Sequence, residues 1–77
     1  MNKQRIKKLE QIQARLTVLV EELQVLADEE QEYFDNMPES LQMSDRAVTS
    51  EAAIDAMNSA IDELESAEGN IDGAINS

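Results

Sequence analysis

The chain contains no cysteine and no histidine, and only one proline, two glycines and two aromatic residues in 77 positions. Each scarcity removes a class of function. Without cysteine there is neither a disulfide framework nor a thiolate metal site. Without histidine the commonest general base is missing, and the serines have no partner to activate them. A di-metal bundle site built on Glu-x-x-His pairs is excluded for the same reason. Neither an EF-hand loop nor a glycine-rich phosphate loop occurs. No apolar run approaches the ~20 residues of a membrane span. Glu10 and a heptad pattern follow the basic N-terminus, where a signal peptide would carry an unbroken apolar core. These absences predict a protein that is not an enzyme and has no cofactor, no metal and no membrane segment.

Positive charge is also scarce, and it is unevenly placed. Lys3, Arg5, Lys7, Lys8 and Arg15 face only Glu10 within residues 1–15, whereas residues 16–77 set sixteen acids against Arg46 alone. The net charge is −11. Such a surface repels nucleic-acid phosphates, so no direct nucleic-acid binding is expected. It suits a basic protein partner instead, including one built to hold DNA.

What the chain does have is heptads. Leu9, Leu16 and Leu23 form one series, and Ile12, Leu19, Leu26 and Tyr33 a second, offset by three. Beyond Pro38, Ile54, Ile61 and Ile75 repeat the pattern beside Met57, Leu64 and Ile71. Spacings of three and four put these residues on one stripe of a helix. The expected fold is all-α: a single domain over residues 1–77, a helix from about 3 to 35, a connector over 36–44, and a helix from about 45 to 75. With Leu9 at position a and Ile12 at d, position e holds Ile6, Val20, Ala27 and Phe34, and this wide a/d/e face suits a bundle. Val18 and Val25 form a further strip, which is either a second contact or tolerated surface. Ala53, Ala60, Ala67 and Ala74 make a column that favours close packing by a neighbour. Gly69 and Gly73 each weaken the second helix by ~1 kcal/mol, so a frayed end is expected there.

Folding the chain back about Ser40 sets Leu9 near Ile71, Leu16 near Leu64, Leu23 near Met57 and Leu26 near Ile54. The same fold brings Lys3, Arg5, Lys7 and Lys8 beside Glu65, Glu68 and Asp72, so apolar rows and opposite charges agree in one antiparallel register. A two-helix hairpin of this size has little core, and a homo-oligomeric, coiled-coil-like bundle is the expected remedy. In the connector, Pro38 ends the first helix. Asn36 and Glu39 have capping-box spacing for a short turn, and Ser44 is placed to cap the second helix.

Candidate binding residues fall into two sets. Asp28, Glu29, Glu32, Tyr33 and Phe34 form an acidic, aromatic patch able to dock a protein, although Tyr33, Phe34 and Met37 equally suit a cap packed on Leu41 and Met43. Arg46, with Lys3 and Arg5 from other chains of an oligomer, is the candidate for an anion or nucleotide. Arg46 otherwise bridges Asp35 or Glu39. Glu30 falls on the seam between Leu23 and Met37. There it sets register, serves as an inward ligand, or lies at a splayed end, and the last is the commonest case.

The run Glu32-Tyr33-Phe34-Asp35-Asn36-Met37-Pro38-Glu39-Ser40-Leu41-Gln42, followed by Ser44-Asp45-Arg46, resembles a signature in small acidic proteins of bacteriophages and prophages. Ala53-Ile54-Asp55-Ala56-Met57 and Ala60-Ile61-Asp62-Glu63-Leu64 resemble their second-helix repeat, while Ala47-Val48-Thr49 departs from the more polar continuation. The likeness spans roughly Glu21 to Glu68. It implies a phage setting, with most members of unassigned function. The lack of cysteine, of a membrane span and of a signal-peptide core already points to a soluble, cytoplasmic protein, in this setting in the host cell. The expected role is inhibition of a host factor, a defence factor above all, through protein contact. The alternatives are an oligomeric sponge for a nucleotide immune signal and a structural assembly protein.

Overall fold

A computed structural model describes residues 1–77 as two long helices, α1 (Lys3–Asp35) and α2 (Asp45–Ile75), joined by a connector that contains a 3₁₀ turn at Glu39–Leu41. The helices pack antiparallel into a rod of 59 × 15 × 13 Å. Both helices start on a side-chain cap. Asn2 accepts from the Arg5 N–H at 2.8 Å, and Ser44 accepts from the Ala47 N–H at 3.3 Å. Each bond satisfies one of the donors that the first helical turn leaves free.

The connector is ordered by its own backbone. The Asn36 N–H closes α1 on the Glu32 carbonyl at 3.0 Å, and the Leu41 and Ser44 N–H groups donate to Pro38 and Leu41. Asn36 is thus the C-terminal cap of α1. It does not start the short turn as the capping-box spacing suggested; Pro38 precedes that turn, with no side-chain cap. Pro38 supplies an extended ψ of 149° there, which lets the chain leave α1 and re-enter helical geometry within three residues. At the far end, α2 runs unbroken through Gly69 and Gly73 to Ile75. The extra backbone freedom of two glycines costs too little to break a helix whose neighbouring turns are held by the seam.

Two hydrogen bonds across the seam fix the register. Ser50 Oγ donates to Glu30 Oε2 at 2.5 Å, and Gln13 Nε2 donates to the Glu68 carbonyl at 3.3 Å. This register sets Leu9 level with Ile71, Leu16 with Leu64 and Leu23 with Met57, as the charge and apolar patterns predict. Between these layers come Phe34 with Ala47, Ala27 with Ile54, and Val20 with Ile61, pairs that mostly match a large side chain to a small one.

The burial pattern corrects the expected face. The half-buried or buried residues of α1 are Ile6, Leu9, Gln13, Leu16, Val20, Leu23, Ala27, Glu30 and Phe34. These are the a and e columns. The d column is not in the seam: Ile12, Leu19, Leu26 and Tyr33 are 38, 47, 52 and 47 % exposed. Leu26 therefore does not face Ile54; Ala27 does. The seam centres between columns a and e of α1, which leaves column d at its edge. The core is thin in consequence. Ala27, Met37, Ala47, Ser50, Ile54 and Ile61 are the buried residues, and no large side chain is wholly enclosed.

Candidate functional site

The hairpin tip carries the most concentrated chemistry. α1 delivers Asp28, Glu29, Glu32 and Asp35 to its last two turns, all exposed. The register brings Asp45 and Arg46 of α2 alongside. Between the helices lies an open groove of about 470 Å³, lined by Glu30, Tyr33, Asp45, Arg46, Thr49, Ser50 and Ala53. Its floor is the Glu30–Ser50 bond, whose 2.5 Å length fits a hydroxyl donating to a carboxylate. Ser50 is 4 % exposed and Glu30 half-buried, so the pair is a polar layer inserted between the Leu23 and Phe34 levels of an apolar seam. Glu30 is therefore bound across the seam and does not lie at a splayed end. No buried side-chain polar atom in the molecule lacks a partner.

The patch residues separate by position. Tyr33 opens to solvent, while Phe34 turns half inward and Met37 is buried at 8 % exposure. At the tip, Phe34 and Met37 are the side chains that turn inward. Met43 is 92 % exposed and takes no part in the cap that the sequence suggested, while Leu41 is 40 % exposed. Tyr33 is thus free to meet another surface, next to the carboxylates of Glu29 and Glu32.

Arg46 is exposed and takes part in no side-chain hydrogen bond, and Asp35 accepts instead from Gln31 at 2.9 Å. Arg46 shares the groove with two carboxylates, Glu30 and Asp45, so the local potential attracts cations more than phosphate. Lys3 and Arg5 lie at the opposite end of the 59 Å rod. One chain cannot bring them to Arg46. No group of three acidic side chains converges as a metal ion would require, and no helix is long and apolar enough to cross a membrane.

Two further depressions lie on the outer side of α1. One of about 390 Å³ is lined by Ala14, Arg15, Val18 and Leu19, and the other, of about 400 Å³, by Glu22, Val25 and Leu26. They repeat at heptad spacing, as the holes of a helix do when they await side chains from a neighbour. The sequence flagged Val18 and Val25 but not this pairing with the exposed d column. Ser50 and Thr49 were also missed. The available signal was symmetry, because Ser50 stands as far beyond Ser40 as Glu30 stands before it. No family model, no curated protein and no solved structure matches this chain, so its own residues and geometry carry the functional reading.

Proposed function

We propose that this chain is a small binding protein without catalytic activity, which uses the acidic tip half of the hairpin to occupy a basic groove on a host protein and block it. The observation that carries this reading is the exposed cluster Asp28, Glu29, Glu32 and Asp35 beside solvent-facing Tyr33, with Arg46 as the single cation of residues 16–77. Carboxylates held on a rigid helix present a fixed negative array, which speeds encounter with a basic surface and selects against acidic ones. Tyr33 supplies an aromatic anchor of the type enriched in binding hot spots. The phage resemblance supports a host factor, and a defence factor in particular, as the target. The nucleotide-sponge reading has no comparable support, because Arg46 shares its groove with carboxylates.

The test is binding to nucleic-acid-associated proteins of a bacterial host, captured on the immobilised chain and challenged with salt and with competing duplex DNA. Occupancy of a basic groove predicts release by both, since screening shortens the Debye length to ~8 Å at physiological salt. Reversing charge in Asp28→Lys, Glu29→Lys and Glu32→Lys together should abolish capture with helix content unchanged. Capture that survives the triple reversal refutes the acidic-surface mechanism. Heat released on titrating a cyclic nucleotide, lost in Arg46→Ala, would move the assignment to the sponge.

A further inference from the structure

One flank of the hairpin carries a long apolar stretch to which both helices contribute, bounded at the tip by the groove that holds Glu30, Asp45 and Arg46. Tyr33, Arg46 and Ala53 line the same groove, which places the Ile12, Leu19, Leu26, Tyr33 column of α1 on the same side as the Arg46, Ala53, Ala60, Ala67 column of α2. The register sets Ile12 level with Ala67, Leu19 with Ala60, Leu26 with Ala53, and Tyr33 with Arg46. A ridge of side chains that are 38 to 52 % exposed therefore runs beside a trough of half-buried alanines. Extended by one heptad, the two columns take in Arg5 and Ala74. Of the seventeen acids in the chain, none falls at any of these ten positions. A solvent-facing surface of so acidic a protein would have no reason to exclude them.

We infer that a second copy of this chain covers this flank, forming a four-helix bundle with the two hairpin tips at the same end. The two-fold axis runs along the rod, so α1 of each copy lies over α2 of the other. The ridge of one copy then enters the trough of its partner at its own level: Leu19 on the partner's Ala60, Leu26 on the partner's Ala53, Ile12 on the partner's Ala67. Large side chains meet small ones in these three layers, which lets the bundle close to interior packing density there. At the tip, Tyr33 meets the partner's Arg46, an arginine over an aromatic face. At the rim, Arg15 comes level with the partner's Glu63. The Arg15, Val18, Leu19 depression and its repeat at Glu22, Val25, Leu26 receive the rim of the partner's α2.

The size of the contact is consistent with a specific dimer. From Ile12 to Tyr33 the ridge runs about 32 Å, and the rod is 15 Å wide. The projected area is about 500 Å² per copy and about 1,000 Å² in all, near the lower bound for specific association. Asp28 and Glu32 stay outside the contact and Glu29 lies at its rim, one heptad beyond Arg15 and Glu22. Tyr33 lies within it, so in the dimer the carboxylates, and not Tyr33, remain to meet a host protein. The inference does not depend on the proposed host-binding role, and the two can fail separately.

Light scattering on the full chain tests it. The expected mass is twice the 8.6 kDa of one chain at micromolar concentration. Leu19→Lys with Leu26→Lys should halve the mass, whereas Val48→Lys, exposed but off the flank, should leave it unchanged. Should the double variant unfold, disulfide trapping decides, since the chain has no cysteine of its own. Chains carrying Leu19→Cys and chains carrying Ala60→Cys, mixed and oxidised, should yield the mixed cross-linked dimer in preference to a mixture of Leu19→Cys and Leu26→Cys. A helical monomer, a mass other than two chains, or preferential Leu19→Cys to Leu26→Cys cross-linking overturns the arrangement.

Discussion

Replacing Ser50 and Glu30 singly and together resolves what a polar layer does inside this seam. Ser50→Ala removes a hydrogen bond to a carboxylate, an interaction of ~1.5–3 kcal/mol when its partner is left dry. Glu30 is half-buried, so water recovers part of the loss and the expected cost is about 1 kcal/mol. Glu30→Leu acts in the opposite direction. It continues the Leu9, Leu16, Leu23 column, and half-burying an isobutyl group contributes roughly 1 kcal/mol. The stranded Ser50 hydroxyl turns to the carbonyl of Arg46 one helical turn back, at little cost. The double variant should be the most stable of the four, by about 1–2 kcal/mol over the parent, with a coupling energy of about 1 kcal/mol between the sites. At ~4–8 °C per kcal/mol for a domain of this size, the order of melting temperatures is resolvable by circular dichroism at one fixed protein concentration. If Ser50→Ala costs as much in the Glu30→Leu background as in the parent, the coupling is zero and the reasoning fails. If the double variant is the most stable as expected, the pair is kept for register and not for stability: a seven-residue slip sets Glu30 against Met57, which offers no donor.

Gly69→Ala and Gly73→Ala should each stabilise by about 1 kcal/mol, because a methyl group at either position meets nothing within 4 Å; denaturant titration checks this. Ala47→Leu should cost about 1–3 kcal/mol in the same assay, since Ala47 is fully enclosed at the level of Phe34, whereas Ala52→Leu on the exposed side of α2 should stay within ~0.5 kcal/mol. Ser44→Ala, which removes the α2 cap, should cost about 1 kcal/mol.

Both helices, their ends, the Ser44 cap and the antiparallel register were legible in the sequence, because proline, heptad spacing and opposite charge act locally or along a single line. Which columns of α1 would be buried was not. Positions a, d and e are all apolar, and hydrophobicity alone ranks Leu19 and Leu26 above Ala27 and Gln13. The choice turns on size across the seam: Ile54 needs Ala27, and Phe34 needs Ala47. A swap to the d column would set Leu26 against Ile54 and push the helices apart. The tip was half legible. Phe34 and Met37 turn inward as expected of a cap, but Met43, in the stretch between the 3₁₀ turn and α2 where no heptad applies, points to solvent. The groove escaped notice because Ser50 and Thr49 carry no signal until the register is applied.

The symmetry of the seam about Ser40 also orders events in time. Sequence separation between facing residues grows steadily from the tip, from 13 residues for Phe34 and Ala47 to 62 for Leu9 and Ile71. Closing the outer pair as an isolated loop costs about 1.4 kcal/mol more than closing the inner one. α1 alone has cations at its start and anions at its end, against its own dipole, so it gains little from forming first. The hydrogen-bonded connector and the helix ends beside it should therefore nucleate the hairpin, with the seam closing like a zip toward the termini. Opening runs in reverse. Amide exchange should be slowest around Ala27 and Ile54 and quicken along both helices toward Lys3 and Ile75, so the basic end of the rod is the first part of the chain to come free.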